Sequence, residues 1–104
     1  MDDDESALAP KFLTTSTDLS VLEGSQVRVN CRVNGRPAPE VRWFKDGREI
    51  ASGARHRIVV NETGFHTLMV LDARMEDAGG IECVARNRSG EARFKVELRD
   101  EIHF

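Results

Sequence analysis

The 104-residue sequence has no tyrosine, two cysteines, one tryptophan, three prolines and only three lysines. Nowhere do apolar residues run long. The stretch Leu68-Met69-Val70-Leu71 is the longest, far below the roughly 18 residues that cross a bilayer, which excludes a membrane-spanning helix. Cys31 and Cys83 are too few for a disulfide-dense scaffold or a zinc site built from cysteine; they form either one bridge or a pair of buried thiols. Histidine is confined to His56, His66 and His103, at no spacing that suits a metal ion with cysteine or carboxylate. They read as surface imidazoles, with His56 and His66 as possible cross-strand neighbours. A glycine-rich phosphate loop, a nucleophile elbow and a catalytic cysteine–histidine signature are all missing. The expectation is a domain without catalysis, cofactor, metal or small-molecule substrate. The acidic opening also lacks the cationic start and apolar middle of a signal peptide.

What is present is ordinary for one globular domain: 39% hydrophobic and 32% charged residues, which argues against disorder. The net charge of −3 is unevenly placed, because Asp2, Asp3, Asp4, Glu5, Asp100 and Glu101 lie at the two ends. Without them the body carries fifteen cations against twelve acidic residues, and twelve of those cations are arginine. Acidic residues are interleaved with the arginines and no stacking aromatics accompany them, so nucleic acid is not an expected partner.

Apolar residues alternate with period two. Val27, Val29, Cys31 and Val33 form one such series; Val41 and Trp43, then Leu68 and Val70, form others. Ile81, Cys83 and Ala85 follow, and then Ala92, Phe94, Val96 and Leu98. Each is the signature of a strand buried on one face. Only Ala73 to Asp77 suits a short helical turn. Turn signals separate the runs at Glu23-Gly24, Gly35 to Pro39, Asp46-Gly47, Asn61 to Gly64 and Asn87 to Gly90, the last expected to use a positive φ at its glycine. Short strands at this spacing predict an all-β sandwich of two antiparallel sheets.

Cys31, Trp43 and Cys83, spaced twelve and forty residues apart, are similar to the Cys…Trp…Cys framework of an immunoglobulin domain. Gly35-Arg36-Pro37-Ala38-Pro39, Trp43-Phe44-Lys45-Asp46-Gly47, Asp77-Ala78-Gly79 and Cys83-Val84-Ala85-Arg86-Asn87-Arg88-Ser89-Gly90 narrow the resemblance to the I-set subclass. Its strongest likeness is to the domains of titin, obscurin, palladin and myosin light chain kinase-type muscle and cytoskeletal proteins. The resemblance implies a Greek-key immunoglobulin sandwich over residues 9–99, an acidic linker or tail over 1–8 and a C-terminal tail over 100–104. It places Cys31 and Cys83 between the sheets with Trp43 packed over them, and pairs Asp77 with Arg55, or failing that Arg57. If oxidised, a bridge closing a loop of about 52 residues adds roughly 4 kcal/mol; if reduced, two thiols fill the space.

The sequence departs from the family at Ile81, where a tyrosine two residues before the second cysteine ordinarily ties a chain corner to upstream backbone. The resemblance therefore implies a corner weakened by the lost hydroxyl and by Gly79-Gly80. Ile81→Tyr is expected to raise the melting temperature of the 104-residue chain, and an unchanged or lower value refutes this account.

By alternation, Arg42, Phe44, Val84, Arg86, Arg93 and Lys95 face outward on neighbouring strands, an arginine-framed apolar surface of the kind enriched at protein interfaces. The family likeness implies protein partners: other sarcomeric or cytoskeletal proteins, neighbouring immunoglobulin domains, or actin through the basic body. It also implies a spacing, elastic and docking role in the cytoplasm. The alternative is an extracellular adhesion or receptor domain with an oxidised Cys31–Cys83 bridge and sugars at Asn61-Glu62-Thr63 and Asn87-Arg88-Ser89. Against that, asparagine recurs at hairpin turns for its own backbone tolerance.

Overall fold

The computed structural model describes residues 6–101. The acidic run Asp2 to Glu5, His103 and most of the expected C-terminal tail lie outside the described residues. Among the described residues there are nine strands: β1 (Leu8–Thr15), β2 (Leu19–Val21), β3 (Val27–Arg36), β4 (Glu40–Lys45), β5 (Arg48–Ile50), β6 (His56–Val60), β7 (Phe65–Val70), β8 (Gly79–Asn87) and β9 (Gly90–Asp100). The first and last begin and end one residue beyond the span 9–99. A 3-10 turn, Met75–Asp77, occupies the expected helical stretch.

The strands form two sheets, ordered β1-β3-β7-β6 and β2-β9-β8-β4-β5, the all-β immunoglobulin sandwich expected. The chain passes from one sheet to the other between β1 and β2. As a result β2 lies parallel to β9, while the other strand pairs are antiparallel. Alternation places Val27, Val29, Cys31, Leu68, Val70, Ile81, Cys83, Val96 and Leu98 in one buried cluster around Trp43. Phe94 bridges this cluster to β1: its ring meets Trp43 edge-on at 6.2 Å and Phe12 edge-on at 4.8 Å.

Asp46 and Gly47, with φ of 48° and 87°, make the tight β4–β5 hairpin as the Asp-Gly pair requires. Gly90 has the positive φ expected of it. Its φ is 159°, and the Ala9 side chain stands 3.2 Å from where a Cβ would be.

Both histidine readings need correcting. His56 pairs with Val70 and His66 with Val60, so they stand at opposite ends of the β6–β7 ladder. His66 is buried, because it shares the inward parity of Leu68 and Val70. Burial holds its imidazole pKa below the ordinary value. A histidine kept neutral in the fold but free to protonate when unfolded stabilises the native state above the unfolded pKa near 6.5, and that stability is lost as pH falls through and below it. The urea midpoint is expected to drop between pH 7 and pH 5.5 more steeply for the wild-type chain than for His66→Gln. Equal slopes refute the assignment.

Candidate functional site

The framework residues come first because they set the rest. Trp43, Cys31 and Cys83 are all completely buried, and the two Sγ atoms lie 3.9 Å apart, unbonded. The contact with Cys31 and then burial push the Cys83 thiol far above its usual range, so it is no thiolate nucleophile.

Arg55 and Asp77 meet. The guanidinium donates to both carboxylate oxygens at 2.8, 2.9 and 3.1 Å, and Asp77 also accepts the Arg74 backbone N–H at 2.7 Å, which fixes the 3-10 turn. Arg57 points outward instead, by the alternation of β6.

Ile81 is 1% exposed and fills its place in the core. The nearby backbone is held by a different residue. Asp46 accepts the Gly80 N–H on its side chain at 3.2 Å, and its own N–H donates to the Gly80 carbonyl at 3.1 Å. The Lys45 ammonium, and next the Gly80 N–H, hold the Asp46 carboxyl below the usual range. Gly79-Gly80 is thus clamped to the β4–β5 hairpin, a tie that the missing tyrosine gave no reason to look for.

The two asparagines differ. Asn61 is exposed, and its side-chain oxygen accepts the Thr63 N–H and hydroxyl and the Phe65 N–H, which shapes its own turn. Asn87 is a cross-link: its amide N–H groups donate to Leu8 and Pro37 carbonyls at 2.7 and 3.0 Å, and its oxygen accepts from Ser89 N–H at 2.8 Å. A glycan on that nitrogen is incompatible with both donated bonds. Asn87→Ala is expected to cost about 2 kcal/mol, three modest hydrogen bonds with partial replacement by water. Urea unfolding checks this, and a cost under about 0.5 kcal/mol leaves Asn87 without structural weight.

The outward face of β4, β8 and β9 forms the most developed surface site. Register arranges it in three rows: Glu40–Arg86–Glu91, Arg42–Val84–Arg93 and Phe44–Glu82–Lys95. Phe44 and Val84 are half-buried, and with Arg42, Arg86, Arg93, Glu40 and Glu82 they line a shallow groove of about 270 Å³. Lys95 lies outside it, its stem crossing over Gly80.

The arginines are not free cations. Arg86 binds Glu91 at 2.8 Å, Arg93 reaches Glu82 at 3.2 Å and also holds Glu91, and Arg42 lies 3.4 Å from Glu40. Arg93 first, then Arg86, draws the Glu91 carboxyl below the ordinary carboxylate range, and Glu91 in turn raises the Arg93 guanidinium. This face is therefore charge-balanced. Sequence reading found its arginines and both apolar residues but passed over Glu40 and Glu91; both were legible as strand neighbours with the parity of Arg42 and Arg93. The groove can seat an apolar side chain over Phe44 and Val84 and exchange ion pairs at its rim. Among the described residues no group of three metal-ligating side chains comes together.

Known proteins show what this architecture is similar to. Residues 10–99 match the Immunoglobulin I-set domain family. The chain is 42% identical over 92 residues to Drosophila melanogaster titin, 44% over 89 residues to Mus musculus myotilin and 39% over 89 residues to Rattus norvegicus palladin. Those alignments cover 86–88% of this chain but at most 18% of the relatives' own lengths, so it corresponds to a small part of each. Among solved structures, titin M4 superposes with a TM-score of 0.87 at 26% identity, covering 91% of this chain and 98% of that one. A titin M10–obscurin-like 1 immunoglobulin complex also gives 0.87, at 30% identity, covering 91% and 95%. The Cys31–Trp43–Cys83 core, the two-sheet order and these matches agree: the chain belongs to the immunoglobulin I-set family, as a domain homologous to those of muscle and cytoskeletal proteins.

Proposed function

We propose that this domain is a non-catalytic spacing and docking module of a multi-domain intracellular protein of muscle or the actin cytoskeleton, with protein partners seated on the β4-β8-β9 face. The observation that carries the reading is the groove with Phe44 and Val84 as its floor and paired arginines and glutamates as its rim. Apolar floors within polar rims are where partner side chains are desolvated. The relatives' identity as muscle and cytoskeletal proteins supports the cellular setting. Actin binding through Arg42, Arg86 and Arg93 is the less favoured route, since their glutamate partners cancel the charge that would draw an acidic filament.

Expression of the 104-residue chain as a fluorescent fusion in myocytes tests the reading. Wild-type protein is expected on striated or filamentous structures, and Phe44→Ala with Val84→Ser is expected to disperse it without unfolding. A diffuse wild-type signal, or identical patterns for both, overturns it. The extracellular alternative rests on the exposed Asn61 sequon, and a glycan there together with a Cys31–Cys83 bridge in the native protein would favour it.

A further inference from the structure

The cationic excess of the folded body sits on the opposite sheet from the groove. Strands β1, β3, β6 and β7 contain Lys11, Arg28, Arg32, Arg36 and Arg57 and not one aspartate or glutamate. The other sheet interleaves its cations with nearly as many carboxylates along every charged strand. Among the described residues no carboxylate pairs with Arg28, Arg32 or Arg57, in contrast to the arginines of the groove.

Register orders this outer face. Arg28, Met69 and Arg57 form one row, and Asn30, Thr67 and Val59 the next. In the third row Arg32 lies beside Phe65, with its guanidinium 5.6 Å from the ring centroid. Val59 and Phe65 remain 43% and 37% exposed.

We infer that the outer face of the β1-β3-β7-β6 sheet is a second docking surface, which takes an extended acidic segment of a partner protein with carboxylates four residues apart. Arg28 and Arg32 stand on one strand with the same parity, about 13 Å apart at the strand rise. That distance is also the same-side spacing of residues i and i+4 in an extended peptide, so one segment lying along β3 presents a carboxylate to each. Its residue i+2 then comes over Asn30, beside Thr67 of the next strand, where a small side chain fits. Arginine suits the task because its planar fork binds a carboxylate with two parallel bonds. A peptide is favoured over a lipid surface because the spacing of Arg28 and Arg32 matches an extended chain and because the Arg32 guanidinium lies over the Phe65 ring. This surface is independent of the groove, and either can fail alone.

The probe is a fluorescein-labelled Glu-Thr-Val-Thr-Glu peptide titrated with the 104-residue chain at low salt. Saturable anisotropy is expected, weakened at least tenfold by Arg28→Glu with Arg32→Glu and left within twofold by Arg86→Glu on the other sheet. The peptide Thr-Glu-Val-Glu-Thr, with its carboxylates two residues apart, is expected to bind at least fivefold more weakly. Backbone amide shifts on the wild-type chain are expected at Arg28, Arg32, Arg57 and Thr67, a readout that needs no variant to fold. The inference is overturned by any of four results: no saturable binding, equal binding of the two peptides, loss of binding with Arg86→Glu alone, or binding to phosphatidylserine vesicles with this arginine dependence while the peptide fails to bind.

Discussion

Asp77→Ala is expected to cost the fold about 3 kcal/mol, at the lower end of the range for removing one partner of a buried ion pair. The lower end applies because the Arg55 side chain remains 22% exposed while that of Asp77 is 8% exposed. Two interactions end together, the forked contact with Arg55 and the acceptor for the Arg74 N–H, and with the second goes the anchor that fixes Met75–Asp77 ahead of β8. For a domain this size the loss corresponds to a fall in Tm of roughly 15 °C. Urea unfolding followed by Trp43 fluorescence measures it. Asp77→Asn retains an acceptor for Arg74 and should cost less. Combining Asp77→Ala with Arg55→Met should cost at least about 1 kcal/mol less than the sum of the single changes, because the second removes a charge the first has orphaned. Additive costs mean that the pair is not coupled and that the corner is held elsewhere.

Trp43→Ala is expected to be the most damaging single change in the core, at about 4 kcal/mol, since it deletes the largest completely buried side chain and leaves a cavity lined by both sheets. Set against a total stability of roughly 5–15 kcal/mol, this leaves a domain near its unfolding threshold. Circular dichroism is the measurement, because the sole tryptophan is gone. Trp43→Phe separates two contributions. The indole Nε1–H is buried and finds no hydrogen-bond partner among the described residues, and such a group costs about 1–3 kcal/mol. Phenylalanine removes that penalty and keeps an edge toward Phe94, so its cost should be less than half that of alanine. Equal costs for the two variants mean that neither the retained ring nor the removed N–H offsets the loss, and that the indole itself is required.

The strand frame was legible because alternation is a local property. Val27 to Val33 and Ile81 to Ala85 declare their buried faces without reference to any other segment. The same rule buries His66, which shares a face with Leu68 and Val70; only its residue type suggests a surface imidazole. At the groove, alternation found Phe44 and Val84 but not the pairing of Arg86 and Arg93 with Glu91, because ion pairs depend on which strands are neighbours and in what register. The Asn87 turn was read from its own four residues. Its role as a link to Leu8 and Pro37, 79 and 50 residues distant, could not be.

By itself the sequence determined the all-β class and the outward placement of the arginines, since both follow from backbone periodicity along one chain, while the Cys31–Trp43–Cys83 core followed from the resemblance to the immunoglobulin framework. Only the tertiary structure decided which arginines are neutralised. Fifteen basic residues against twelve acidic ones give the body a net positive charge without placing it on either sheet. Folding sorted the glutamates beside the β4-β8-β9 arginines and left Arg28, Arg32 and Arg57 on a sheet without carboxylates. The reason is physical: a charge is screened or exposed by neighbours within a few ångströms, and those neighbours are set by strand order and register.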